Sequence, residues 1–298
     1  MTAGPDSTNS DHGGSERPVT PPDLPAPATA PAPYVPYVPP PSDAPRKEIV
    51  ALRLTDPFRW LLLGWRDLRA AWGISLFYGI CFWLMALTLG AVFRNKPEYV
   101  MSIASGCLLL GPFLALGLYE VSRRREQGLR PSLGTSLTCW DSHLRSMGLL
   151  VLVLVVLELL WGRASLMVFA VFFNTGMPST TGVINAIFNP ENWDFLMVYL
   201  LVGGVFAGLV YATSVVAIPM ILDRDTDAIS AAITSLQVVF GNPAVLLLWG
   251  ALITTLVFVS LVLPWSVGLW LIGPWLGHAS WHAYRGSVRW LDQPATQA

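Results

Sequence analysis

Apolar residues gather into six runs, at 72–93, 99–122, 147–172, 196–222, 244–263 and 265–284. Each is close to the ~20 residues that a helix, rising ~1.5 Å per residue, needs to cross ~30 Å of hydrocarbon. The pattern therefore predicts an all-α integral membrane fold with six transmembrane helices. Pro264 parts the last two runs, and the pattern leaves open whether it makes a tight turn or a kink.

Ahead of the first run, residues 52–72 read as amphipathic. Phe58, Trp60, Leu61, Leu62, Trp65 and Leu68 alternate with Arg59, Arg66, Asp67 and Arg69. Asp56-Pro57 predicts an N-cap and first-turn pair. The expected element is a helix lying in the interface, with tryptophans at headgroup level and arginines toward anionic lipid. Similar short amphipathic stretches at 131–143 and 227–240 precede the third and fifth runs, and each returning run holds an interior proline, Pro112, Pro219 or Pro274. These features suggest a three-fold repeat of interfacial helix plus helical hairpin. A proline frees a backbone carbonyl and bends the axis, which a bilayer tolerates only where neighbours satisfy the freed group. Gly204 with Gly208, and Gly273 with Gly277, have the four-residue spacing that lets helices approach closely.

Composition agrees with the pattern: 53% of the 298 residues are hydrophobic and 12% charged, against roughly 25% charged in soluble domains. A net charge of −1 gives no electrostatic reason to expect nucleic-acid binding. Cys81, Cys107 and Cys139 lack paired spacing and read as reduced thiols. Residues 1–48 hold 13 of the 24 prolines and predict a disordered, partly polyproline cytoplasmic tail, a spacer or a partner-docking segment. The start lacks the basic and apolar regions of a secretory signal. A transmembrane domain at 49–290 and a short tail at 291–298 complete the organisation.

Lys and Arg fix the expected orientation. Arg46, Lys47, Arg53, Arg59, Arg66 and Arg69 precede the first helix, Arg123, Arg124, Arg125, Arg130 and Arg145 follow the second, Arg224 the fourth, and Arg285 and Arg289 the sixth. Arg94 and Lys96 stand alone on the other side. Both termini are expected in the cytoplasm.

The stretch 273–285, Gly-Pro-Trp-Leu-Gly-His-Ala-Ser-Trp-His-Ala-Tyr-Arg, holds His278 and His282 one helical turn apart, so they share a face and could share a metal ion. Cys139 and His143 have the same spacing. All four converging would suit zinc or copper; otherwise the histidines, with Trp281 and Tyr284, form an interfacial belt. Two histidines on one face cannot supply both axial ligands of a haem. Glu158, about 16 Å along the third helix, falls near the midplane, where a carboxyl group costs at least ~2.5 kcal/mol. It is expected to face the bundle, either as a proton or cation relay or as a buried hydrogen-bonding group, and Arg163 is a candidate partner. Glu120 with Arg123 to Arg125, and Asp223-Arg224-Asp225, are expected to form ion pairs at cytoplasmic helix ends that fix adjacent helices and hold their register at the interface. The chain has no phosphate loop, dinucleotide fingerprint, nucleophile elbow or HExxH motif, and so no positive sign of an enzyme.

Four blocks in order, Gly64-Trp65-Arg66-Asp67-Leu68, Gly111-Pro112-Phe113-Leu114-Ala115-Leu116-Gly117-Leu118-Tyr119-Glu120, Ile218-Pro219-Met220-Ile221-Leu222-Asp223-Arg224 and Gly277-His278-Ala279-Ser280-Trp281-His282-Ala283-Tyr284-Arg285, carry a resemblance. Over residues 55–290 the chain resembles a bacterial family of predicted integral membrane proteins of unknown function, some labelled cytochrome c oxidase subunit I-like. The resemblance implies six helices and a bacterial inner-membrane location, and no established activity. A catalytic oxidase subunit needs histidines on several helices for haem and copper, and this chain places only His278 and His282 in a predicted span. Three roles follow as expectations. One is a non-enzymatic scaffold, assembly or accessory factor that sits in the lipid bilayer with a membrane-complex partner and no cofactor. The others are a small-solute or proton-coupled transporter using Glu158, and a metal- or haem-binding accessory of a respiratory oxidase using His278 and His282.

Overall fold

The computed structural model describes residues 47–95, 100–173 and 192–291. The tail at 1–46, Lys96 and the last residues, 292–298, lie outside the described residues. In chain order the elements are strand β1 (Lys47–Ile49), helices α1 (Asp56–Ala70), α2 (Trp72–Asn95), α3 (Val100–Glu126), α4 (Leu133–Thr138), α5 (Leu144–Phe172), α6 (Trp193–Ser214), α7 (Ala217–Arg224), α8 (Ala228–Gly241), α9 (Pro243–Val262) and α10 (Leu269–Ser287), and strand β2 (Val288–Trp290). Short 3-10 turns occupy Asp141–His143 and Pro264–Ser266.

Among the described residues, four stretches are long and apolar enough to cross a membrane: Trp72–Asn95, Leu133–Phe172, Trp193–Arg224 and Pro243–Val262. The protein is an integral membrane protein of all-α design. Of the other two predicted spans, α3 forms as a helix of 27 residues and α10 as one of 19, and α10 is not apolar enough to count among the four. For α10 the reason is composition: Pro274, His278, His282 and Arg285 offset its aliphatic residues.

The fourth run is broken. Helix α6 ends at Ser214, and α7 begins at Ala217. Pro219 explains the break, since its ring displaces the carbonyl of the residue four before it, Val215. The Val216 amide turns instead to the Ser235 hydroxyl, 3.1 Å away on α8. Pro274 likewise frees the carbonyl of Trp270. Gly79 of α2 lies so close to this oxygen that a Cβ would overlap it, so a glycine lets a neighbouring helix cover the freed group. Pro264 makes a turn rather than a kink: Trp265 and Ser266 take left-handed φ of 59° and 53°. The Gly268 backbone then returns against Ser260 of α9.

Helix α1 departs from the purely interfacial expectation. Trp60 is 3% exposed and meets Trp249 of α9 edge-on at 5.6 Å, because it projects opposite to Phe58 and Leu62, which are exposed. Thr55, not Asp56, occupies the cap position, without a side-chain cap bond. Asp56 sits in the first turn and accepts the Arg53 amide at 2.7 Å. Gly64 rests on α10, where a Cβ would lie 2.6 Å from the Ala279 nitrogen. Of the small-residue pairs, Gly273 and Gly277 do meet neighbours, Phe82 and Leu118, whereas Gly204 and Gly208 face open space. The residue that lets α5 and α6 approach is Gly203, against Trp161.

Helices stand at each of the three amphipathic positions, as α1, as α4 with its following 3-10 turn, and as α8. At this end of the bundle β1 pairs antiparallel with β2, Lys47 opposite Trp290 and Ile49 opposite Val288. Sequence patterning missed both strands. Asn242 fastens the segment after β1, accepting the Leu52 amide at 2.8 Å and donating to the Val50 carbonyl at 3.1 Å.

Candidate functional site

The polar residues of α10 lie where α1, α2, α3 and α7 converge on it. His278 is fully buried, with Nε2 2.9 Å from the Ser75 hydroxyl of α2 and Nδ1 2.8 Å from the Ser122 hydroxyl of α3. Ser75 donates its own proton to the Ala71 carbonyl, so it accepts from Nε2–H and leaves Nδ1 to accept from Ser122. A neutral imidazole is thereby satisfied on both nitrogens.

One turn on, His282 Nε2 is 2.9 Å from Asp67 Oδ2 of α1. The other oxygen of this buried carboxylate is 3.2 Å from Arg125 Nε of α3. Burial works to raise the Asp67 carboxyl's affinity for a proton, but the His282 hydrogen bond and imidazole charge outweigh it and hold the group below its ordinary range.

A second set lies alongside. Glu126 accepts from Trp281 Nε1 and Arg285 Nε, each at 3.0 Å. Asp223 of α7 accepts the Tyr284 hydroxyl proton at 2.7 Å and lies 3.7 Å from Arg285. Trp290 of β2 donates to the Tyr284 oxygen at 2.9 Å, and the Arg224 guanidinium covers the Trp290 ring at 4.9 Å.

The run Arg123-Arg124-Arg125 is divided among partners, as residues ~100° apart on a helix must be. Arg123 donates to the Leu222 carbonyl at the end of α7, and Arg125 to the Arg66 and Asp67 carbonyls near the end of α1. Arg123 satisfies a carbonyl that a helix C-terminus leaves open, whereas the Asp67 carbonyl also accepts the Ala71 amide. Arg124 turns back to Glu120 at 2.8 Å. The predicted pairs form within single helices, Arg123 with Glu120 at 3.2 Å and Arg224 with Asp223 at 3.6 Å. Besides Arg123, whose bond to Leu222 joins α3 to α7, links between helices come from Arg125, Glu126, Tyr284 and Arg285.

The four candidate metal ligands are not brought together. Cys139 donates to the Ser136 carbonyl. His143 Nδ1 is 2.9 Å from Ser142 Oγ and 3.1 Å from the Cys139 carbonyl, and its Nε2 is 3.8 Å from Asp225. Among the described residues no group of three or more His, Cys, Asp or Glu is placed to hold a metal ion. Glu158 continues the buried stripe of Met147, Leu150, Val151 and Leu154 by one turn but is half-buried. It makes no hydrogen bond or ion pair with any described residue, and Arg163 points outward without reaching it.

Residues 100–223 match the model of a family described as predicted integral membrane protein (DUF2189). This is a family of unknown function, as the resemblance of the sequence blocks implied. The match takes in α3 to α7, and with them Glu120, the arginine run and Asp223. Asp67, His278 and His282 lie outside it. No curated protein and no solved structure matches the chain.

Proposed function

We propose that the chain is a six-span protein of the bacterial inner membrane, with both termini cytoplasmic, that serves as a non-enzymatic scaffold, assembly or accessory factor. The observation that carries this reading is the network around α10. Its polar side chains bond to α1, α2, α3, α7 and β2, and so hold a contact surface together at one end of the bundle. The pairing of β1 with β2 brings the chain entering the first helix beside the chain leaving the last. That supports an even number of crossings, with α3 and α10 completing six. Helix α10 can be a span despite its composition, because eight of its residues, His278 included, are buried by neighbouring helices and so meet protein rather than lipid.

Affinity capture of the tagged full-length chain from solubilised membranes tests the role. A membrane complex co-purifying in fixed proportion is the expected result. Recovery of the chain alone, together with proteoliposome uptake abolished by Glu158→Gln, would replace the scaffold with a transporter.

A further inference from the structure

We infer that α1, α4 and α8 form a collar that binds anionic phospholipid headgroups in the leaflet they border. The inference needs a membrane-spanning chain and is independent of the scaffold role.

Each of these short helices presents an outward apolar pair one turn apart. Phe58 and Leu62 on α1 are 51% and 64% exposed, and Ile229 and Ile233 on α8 are 65% and 49% exposed. Leu133 and Leu137 make the shorter pair on α4. Residues four apart share a helix face, so none of these pairs is an isolated surface residue. An apolar face of this kind, beside spanning helices, is suited to the boundary between headgroups and acyl chains.

The arginines of this end sort into two groups. Arg123, Arg124, Arg125, Arg224 and Arg285 have acidic partners within the fold. Arg53, Arg59, Arg66, Arg69, Arg130, Arg145 and Arg289 are exposed and have no acidic partner among the described residues. On α1, at ~100° per residue, Phe58, Leu62, Arg59, Arg66 and Arg69 fall within an arc of about 100°. The opposite arc, with Trp60, Gly64, Asp67 and Leu68, is buried. Exposed Arg130 precedes α4 and exposed Arg145 opens α5 after it, whereas Asp225 and Asp227 leave α8 as an apolar contributor.

A surface that mixes apolar pairs with unpaired guanidinium groups complements a phosphate headgroup and the acyl chain beneath it. Nucleic acid would match only the charge, and the apolar pairs would be left in water. Guanidinium groups bind phosphate oxygens with charge-assisted, often bidentate, hydrogen bonds.

The test uses the full chain in nanodiscs of phosphatidylcholine mixed with phosphatidylglycerol, followed by detergent extraction and headgroup analysis of the lipid retained. Phosphatidylglycerol should be retained preferentially, less so at high salt. The triple variant Arg59→Gln, Arg66→Gln, Arg69→Gln should lose the preference, by roughly five-fold for each arginine removed. Arg94→Gln, at the other end, should leave it unchanged. If the triple variant does not fold, the salt dependence of the wild-type preference decides. No preference for phosphatidylglycerol, a preference indifferent to salt, or equal retention by a folded triple variant would overturn the inference. So would loss of a protein partner in the triple variant without change in the retained lipid, which would make the arc a protein-docking surface.

Discussion

Helices α10 and α5 both carry ionisable side chains along apolar lengths, and they handle them in opposite ways. On α10, His278, His282, Tyr284 and Arg285 reach serines, carboxylates and an indole on five other elements. On α5, Glu158 stands half-buried with no partner among the described residues. Yet α5 lies within a stretch apolar enough to cross a membrane, and α10 does not. Apolarity therefore reports which helices face lipid, and a helix enclosed by others can carry polar groups that lipid would reject. The cost of burial is met on α10 by pairing, and on α5 it is left standing.

The largest effect expected of a single change at α10 comes from Gly64. A side chain there meets the Ala279 backbone rather than a movable side-chain end, so α1 must lift away and take Asp67 from His282 and Arg125. Gly64→Leu should destabilise the folded protein by about 3 kcal/mol or more, measured by denaturant unfolding in detergent. A near-neutral result would mean that α1 is not fixed against α10, and the contrast with α5 would fail.

Asp67→Asn probes the same contact without disturbing its shape. Removing one partner of a buried charge pair leaves His282 and Arg125 uncompensated, and a loss of about 2–3 kcal/mol is expected. The pH dependence follows from the depressed proton affinity of Asp67. A carboxyl group held below its unfolded value contributes stability that is complete above about pH 4 and is lost as the pH falls through the folded value. Unfolding profiles of the wild type should show that acid loss and the Asn variant should lack its share. Parallel profiles would remove Asp67 from the network.

Most of the helical architecture was legible in the chain, because a run of about 20 apolar residues has few other solutions. Pro264 marked a boundary between helices and Pro219 a bend, but the left-handed turn at Trp265 and the break before Ala217, with its hand-over of the Val216 amide to Ser235, emerge only in the structure. The site was legible in its histidines but not in their partners. Four-residue spacing says that His278 and His282 share a face, but not that Ser75, Ser122 and Asp67 face them from three other helices, since such contacts depend on packing between residues as many as 215 positions apart. The strands went unread because a pair of three-residue strands, Lys47–Ile49 and Val288–Trp290, is too short to show a period. Trp60 was placed at the headgroups by its residue type, whereas its position on α1, opposite Phe58, puts it in the core.

Glu158→Leu should have the smallest effect of the three. With no hydrogen bond or ion pair to lose, replacing a half-buried carboxyl group by an aliphatic side chain removes a desolvation cost and restores the stripe that runs through Leu150 and Leu154. The expected change in unfolding free energy is within about 0.5 kcal/mol of zero or toward greater stability. Both outcomes bear on the comparison with α10. Stabilisation in the isolated protein would mean that Glu158 is retained for something other than the fold, and a membrane-complex partner supplying a donor at that depth would then be the place to look. A loss approaching that of Asp67→Asn would show instead that α5 pairs its charge as α10 does, and the distinction between the two helices would disappear.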